Sequence, residues 1–178
     1  FYVGTAPIER VAELLRPIFV RIPREVTPLP PQTALKSAGE SHKSERMDIA
    51  QAKIAMGFVT PITSADPRFA AMQLLNTVFG AGMTSKLFVQ VREKRSLCYA
   101  IGSGYYSSKG LVTVHAGIDT VRFEETKAAI LEQLQACQRG EITQQELDAA
   151  KAAVLSGLRA VYDGPGAMES FFSTTAIS

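Results

Sequence analysis

The chain has 178 residues, 46% hydrophobic and 20% charged, which is enough length and apolar content for a folded domain with its own core. Its 19 basic and 17 acidic side chains give a net charge of +2, which excludes a broad nucleic-acid-binding surface and a strong field toward membranes. No apolar run approaches the ~20 residues of a membrane helix. Two cysteines, Cys98 and Cys137, exclude a disulfide scaffold and slightly favour a reducing, cytoplasmic compartment, although the compartment stays open.

The first part of the chain predicts a helix followed by a proline-rich segment. Phe1–Gly4 resembles the end of a strand, and Thr5 with Pro7 forms a helix start. Five prolines between residues 17 and 31 are incompatible with a helix interior or a central strand. We therefore interpret residues 1–19 as the tail of a preceding domain, 20–44 as a linker, and 45–178 as the main domain, truncated at its end.

The main domain begins with one strand and two helices. Residues 46–60 are strand-like and end at Pro61. Asp66 and Pro67 predict the start of a helix with Ala71, Leu75 and Val78 on its buried face, and Gly80 predicts a left-handed end. Thr84 can cap a second, short helix.

A hairpin and two long helices follow. Strands at 97–106 and 111–118 are joined by a four-residue loop, with Val112, Val114, Ala116 and Ile118 on one face. A helix at 122–139 ends at Gly140, and Thr143 with Glu146 forms a capping box for the next helix. That helix is predicted to bury Leu147, Ala150, Val154, Leu158 and Val161, and a last helix begins near Ala167. This order predicts an α+β fold, an antiparallel sheet with helices packed on one face.

Three candidate ligand sites fail on their residue types or on their spacing. His42-Lys43-Ser44-Glu45-Arg46 begins like a His-x-x-Glu-His zinc motif, but the second ligand is replaced by arginine, which does not bind zinc. His115 has no acidic or thiol neighbour at ligand spacing, so we interpret it as a surface or half-buried imidazole. The Gly80–Lys86 segment could cradle a phosphate, but its spacing differs from a P-loop and favours a helix–helix link.

The segment Val91-Arg92-Glu93-Lys94-Arg95-Ser96-Leu97-Cys98-Tyr99 crowds charge at the end of a short helix just before a strand. Local physics explains this simply, since cations at a helix C-terminus are stabilised by the dipole, and Tyr99 can be an ordinary strand aromatic.

Together with Phe79-Gly80-Ala81-Gly82-Met83-Thr84-Ser85-Lys86-Leu87-Phe88, however, the segment resembles the non-zinc, C-terminal half of pitrilysin/insulinase-type metallopeptidases. This family includes the mitochondrial processing peptidases. The resemblance extends to the opening residues, which look like the end of a homologous half-domain.

The resemblance implies two α+β half-domains of the LuxS/MPP-like metallohydrolase type that close on a peptide. Zinc is held in the half that bears the His-x-x-Glu-His motif, which activates a water. The other half supplies an arginine and a tyrosine, and Arg92 and Tyr99 match that pair. Arg92 is then expected to bind substrate carbonyls, and the Tyr99 hydroxyl to stabilise the oxyanion. Both are thus candidate catalytic and substrate-binding residues.

The chain departs from the family pattern in two respects. Ser96 and Cys98 replace residues that are more often glycine or alanine, and the zinc motif is absent from the chain. Zinc is therefore expected in a partner half-domain or subunit, and the chain alone is not expected to cleave peptides. The expected partners are a peptide or unfolded polypeptide and a homologous half-domain or subunit in a homo- or heterodimer, with no nucleic acid and no membrane insertion. The alternative is a non-catalytic peptide-binding or assembly subunit of the same family.

Overall fold

The computed structural model describes residues 1–22, 39–49 and 51–177. Most of the predicted linker, residues 23–38, lies outside the described residues. The chain divides into two compact units, Phe1–Gln32 with Gly157–Ser178, and Thr33–Ser156. The second, called the sheet unit below, contains the predicted site residues.

The sheet unit is built on three antiparallel strands, β1 (Ala52–Val59), β2 (Cys98–Tyr106) and β3 (Leu111–Ile118). Their order is β1-β3-β2, so the second strand of the hairpin is central. Ala116 pairs with Ile54 on one side and with Ile101 on the other. The alternation in β3 is as predicted, because Val112, Val114, Ala116 and Ile118 are buried while His115 is exposed.

Helices cover the buried face of this sheet. Those that contact its strands are α2 (Phe69–Phe79), a π-helix (Leu87–Glu93) and α3 (Phe123–Gln138). A 3₁₀ turn (Thr120–Arg122) and the first part of α4 (Gln144–Ala160) belong to the same unit. The core joins sheet and helix residues, namely Ile54, Phe79, Leu87, Val91, Leu97, Val114, Ile118 and Ile130 among others. The α+β fold with an antiparallel sheet and helices packed on it is thus confirmed.

Two helix ends follow the predicted chemistry and one does not. Thr143 N–H donates to Glu146 Oε2 (2.8 Å) and Glu146 N–H donates to Thr143 Oγ1 (3.2 Å), which is the predicted capping box. Gly140 ends α3 at φ +74. Gly80, in contrast, has φ −154, so its predicted left-handed conformation was wrong. It is glycine because a Cβ would lie 2.6 Å from Ser103 Oγ and 2.7 Å from Leu87 Cδ1.

The buried faces of α2 and α4 also differ from the predictions. In α2 the predicted Val78 is buried and Leu75 is half-buried, but Ala71 is exposed, and Met72, Asn76 and Phe79 are buried without having been predicted. In α4 only Ala150 is fully buried, and Leu158 is exposed. The apolar spacing of α4 therefore predicts more burial than this helix has.

The other unit contains α1 (Ile8–Val20), a 3₁₀ turn (Val161–Asp163) and α5 (Pro165–Ile177). Residues 1–3 form no strand, and Pro17 lies inside α1 rather than beyond it. Near the C-terminal end of a helix, a proline removes one intrahelical hydrogen bond and leaves few turns to disturb. No helix in the described part of the chain is long and apolar enough to cross a membrane.

Candidate functional site

Arg92 is presented by a π-helical segment. The wider turn is marked by the Lys94 N–H, which donates to the carbonyl of Val89, five residues earlier (3.0 Å). Leu87 and Val91 are fully buried and hold this segment against the core, which leaves Arg92 at the surface of the last turn. The short helix predicted here is present, but its π geometry could not be predicted, because the spacing rules assume 3.6 residues per turn.

A tight turn connects the π-helix to β2. Ser96 adopts φ +50, a left-handed conformation that is uncommon for serine. Its N–H donates to the Arg92 carbonyl (3.0 Å), and the N–H of the buried Leu97 donates to the Val91 carbonyl (3.2 Å). Glycine would adopt this conformation without strain, whereas the serine at position 96 does not.

Tyr99 lies at a β-bulge. Cys98 pairs with Ile118 and Ala100 pairs with Gly117, so Tyr99 is an extra residue in β2. A bulge changes the direction of the side chains around it. The Tyr99 side chain is 59% exposed, so the phenol is outside the hydrophobic core.

Three contacts fix the Arg92 guanidinium. Its Nε donates to the Tyr99 carbonyl (2.9 Å), its Cζ lies 4.6 Å from the centre of the Phe88 ring, and its Nη1 is 3.2 Å from Glu93 Oε1. The hydrogen bond and the stacked ring hold the guanidinium next to the bulge.

Arg92 and Tyr99 line the same surface cavity, which has a volume of about 460 Å³. The remaining lining residues come from the end of the π-helix and the start of β2 and from the segment between β3 and α3, namely Glu93, Ser96, Leu97, Cys98, Asp119 and Arg122. The structure therefore brings the two predicted site residues to one cavity.

A buried threonine contacts the backbone of two residues that line this cavity. Thr126, on α3, is fully buried and its Oγ1 lies within hydrogen-bonding distance of the Arg122 carbonyl (2.8 Å) and the Leu97 carbonyl (3.3 Å). We did not identify Thr126 from the sequence, although its position four residues before Ile130 places it on the apolar stripe of α3.

Lys86, considered above as part of a phosphate cradle, is instead engaged in a buried ion pair. Its Nζ lies 2.8 Å from Glu146 Oε1, and the two side chains are 9% and 21% exposed. Burial alone would raise the pKa of the Glu146 carboxyl, but the hydrogen bonds from Lys86 and Thr143 outweigh it and the pKa is lowered. Because Lys86 is paired with Glu146, the Gly80–Lys86 segment is a link between two helices. The turn in this link contains Gly82 at φ +129, a conformation that favours glycine.

The Cys98 thiol borders the cavity but is a poor nucleophile. Burial raises its pKa, and the positive charge of Arg92 offsets this only in part. Because the thiolate is the reactive form, Cys98 stays largely unreactive near neutral pH.

Neither histidine belongs to a metal site in the described residues. The ring of His42 lies 6.2 Å from that of Phe123, in a segment without helix or strand, and His115 is exposed on the sheet. Within residues 1–22, 39–49 and 51–177, no group of three or more histidine, cysteine, aspartate or glutamate side chains could hold a metal ion. These residues therefore do not fit a resident zinc.

Known proteins share this sequence pattern. The family model described as "Peptidase M16 inactive domain" matches residues 1–154. A Bacillus subtilis protein named "Probable inactive metalloprotease YmfF" is 40% identical over 107 residues, 60% of this chain and 25% of its own length. A Mycobacterium bovis protein named "Uncharacterized zinc protease Mb2805c" is 30% identical over 145 residues, 78% of this chain and 32% of its own length.

A solved structure of a peptidase M16 inactive domain from Pseudomonas fluorescens is also similar, with a TM-score of 0.56 and 27% identity. The match covers 62% of this chain and 27% of that chain. The chain spans about a quarter to a third of the length of the curated relatives described here. The family model covers most of the chain and agrees with the pitrilysin-type resemblance read from the segment around Arg92 and Tyr99. The chain belongs to the peptidase M16 family and contains its inactive domain.

Proposed function

We propose that this chain is the non-zinc part of a zinc-dependent metalloendopeptidase and that Arg92 and Tyr99 serve a site whose metal is held by another domain or subunit. The observation that carries the proposal is the shared cavity of about 460 Å³, which both residues line, with the Arg92 Nε bonded to the Tyr99 carbonyl at the bulge. The partners would be a peptide or unfolded polypeptide and a homologous half-domain or subunit.

Arg92 would position the substrate backbone. Its Nε is committed to the Tyr99 carbonyl and its plane to the Phe88 ring, so the terminal nitrogens keep a fixed direction. A guanidinium held in this way can donate two hydrogen bonds to peptide carbonyls with little loss of side-chain entropy. The Glu93 contact is exposed and can be exchanged for substrate, because exposed ion pairs contribute little.

Tyr99 would donate its hydroxyl proton to the oxyanion that forms when water attacks the scissile carbonyl. Its exposed phenol leaves this donor available to a substrate in the cavity. Removing one such donor typically lowers turnover by about 10²–10³-fold. Because the described residues do not fit zinc, we assign no metal step to this chain. The interpretation of residues 1–19, 20–44 and 45–178 as half-domain tail, linker and inactive-type domain remains part of this proposal.

The Tyr99→Phe variant in the full-length protein, assembled with its zinc-bearing half, tests the proposal. We expect kcat to fall by about 10²–10³-fold while KM changes by less than about threefold, since the lost bond acts in the transition state. Tyr106→Phe is the matched control, because Tyr106 lies at the other end of β2 with 57% exposure and outside the cavity. An unchanged kcat in Tyr99→Phe would rule out the role of the phenol.

A non-catalytic peptide-binding or assembly subunit is the second candidate. It is favoured by the relative that is 40% identical and is named a probable inactive metalloprotease. Metal analysis and peptide cleavage by the full-length protein, with and without candidate partners, distinguish the two. Peptide binding without zinc and without cleavage would support this second function.

A further inference from the structure

We propose that Arg122 recognises a carboxylate of the bound peptide and so gives the Arg92–Tyr99 cavity a preference for acidic substrates. The proposal rests on the function proposed above. Arg122 lines the same cavity but comes from a different part of the chain, the 3₁₀ turn between β3 and α3.

The backbone of Arg122 is held firmly. Its N–H donates to the Asp119 carbonyl (2.9 Å), and its own carbonyl accepts from the buried Thr126 hydroxyl (2.8 Å). The same hydroxyl lies 3.3 Å from the Leu97 carbonyl, next to the bulge. Arg122 therefore stands at a fixed position relative to Tyr99, as a specificity residue requires.

The charges of the cavity single out Arg122. Its lining contains two arginines and two acids, and Glu93 pairs with Arg92 (3.2 Å). Asp119 Oδ1 accepts a hydrogen bond from the Val121 N–H (3.3 Å). In the described part of the chain, the ion pair of Arg122 is with Glu125 at 3.9 Å, which is too long for a hydrogen bond. The Arg122 guanidinium, 44% exposed, thus retains its donors for a ligand.

A planar guanidinium with five N–H donors matches the two oxygens of a carboxylate. Arg92 is less suited to this task, because its Nε is bound to the Tyr99 carbonyl. The two arginines would divide the work, with Arg92 on the peptide backbone and Arg122 on a carboxylate. That carboxylate can belong to an aspartate or glutamate side chain or to the C-terminus of the peptide.

The test compares Arg122→Gln with the wild-type protein, each full-length and assembled with its zinc-bearing half. One peptide series places a single Glu or Gln at each position in turn, and a second has a free or an amidated C-terminus. Both kcat/KM and equilibrium binding by fluorescence anisotropy are measured. Arg139→Gln is the matched control, because Arg139 is exposed near the other end of α3 and pairs with Glu141.

We expect the wild type to prefer the carboxylate by about tenfold to a hundredfold, as charge-assisted hydrogen bonds do. Arg122→Gln should abolish this preference, while Arg139→Gln keeps it. Dependence on Glu at one position identifies a side-chain carboxylate, and dependence on the free C-terminus identifies the terminal one. Arg122→Lys, which keeps the charge without the planar fork, should retain part of the preference and serves if the Gln variant is unstable.

Equal affinity of the wild type for Glu and Gln peptides and for both termini would overturn the inference, as would a preference that survives in Arg122→Gln. The outcome is separate from that of Tyr99→Phe. Loss of discrimination in binding by Arg122→Gln with unchanged turnover in Tyr99→Phe would remove the role of Tyr99 and keep the carboxylate site. If Arg122→Gln keeps the discrimination and Tyr99→Phe loses turnover, the peptidase role of Tyr99 stands and the carboxylate site at Arg122 is ruled out.

Discussion

Two neighbouring regions of the sheet unit differ in the regularity of their backbone. One is the β3–α3 layer, formed by strand β3 and helix α3, and the other is the junction, formed by residues Lys86 to Ala100. In the layer, alternate residues of β3 and the Ile130 stripe of α3 are buried, as ordinary strand and helix periods require. In the junction, a π-helix, a serine at φ +50 and a β-bulge follow one another within 13 residues, from Leu87 to Tyr99.

The difference shows how the two regions share their tasks. The layer buries large apolar side chains, which is the main source of stability. The junction has several irregular features and places both Arg92 and Tyr99 at one cavity. Irregular backbone persists only where the surroundings hold it, and here Leu87, Val91 and Leu97 anchor the junction in the core.

The largest effect on stability is expected from the layer. Ile130→Ala removes a fully buried side chain of α3 and should lower the free energy of unfolding by about 2–5 kcal/mol, since transfer and cavity terms add. Urea unfolding of the purified wild-type and variant proteins measures this difference in the free energy of unfolding. Val121→Ala, at 87% exposure, is the control and should cost less than about 0.5 kcal/mol. Similar values for both variants would contradict the assignment of stability to the layer.

A smaller effect is expected where the junction meets α4. Glu146→Gln removes the negative charge opposite the Lys86 ammonium, which is 9% exposed, and should cost about 1.5–3 kcal/mol at pH 7. The cost should shrink in acid. Because the folded-state pKa of Glu146 is lowered from 4.5, its contribution is complete above that value and is lost as pH falls through the folded-state pKa.

Thermal unfolding from pH 7 downward, with wild type and Glu146→Gln side by side, follows this loss. The gap between the two proteins should narrow below pH 4.5, the ordinary pKa of the group. Glu40→Gln, which changes an exposed carboxylate, provides the control and should leave the wild-type curve unchanged. A gap that widens in acid would mean that the pair does not favour the ionised carboxylate.

The smallest effect tests the backbone strain of the junction. Ser96→Gly relieves a left-handed conformation and should raise the free energy of unfolding by about 0.5–1 kcal/mol. Ser44→Gly, at an exposed position without positive φ, should give no gain, since glycine there only increases the freedom of the unfolded chain. Chemical denaturation measures the free energy of unfolding of both variants. A lower value for Ser96→Gly than for the wild type would show that the serine side chain stabilises the fold by more than its backbone strain costs.

Local patterns predicted the elements of the sheet unit well. The hairpin, the end of α3 at Gly140 and the capping box of Thr143 and Glu146 all depend on residues within a few positions of one another. The pair of Arg92 and Tyr99 came from the family resemblance, because local physics alone explained the same residues as a charged helix end. The Lys86–Glu146 pair, 60 residues apart in the chain, and the support of Leu97 by Thr126, 29 residues apart, could not be predicted from local spacing.

Within the sheet unit, periodicity and capping therefore sufficed to locate the hairpin and the long helices, since those preferences are settled among neighbours along the chain. The orientation of Arg92 and Tyr99 had another origin. It depends on Leu87, Val91 and Leu97 packing against β3 and α3, and on the bulge that lets Tyr99 leave the ladder. Burial of apolar groups contributed by distant segments set that geometry, and such contacts exist only once the chain has folded.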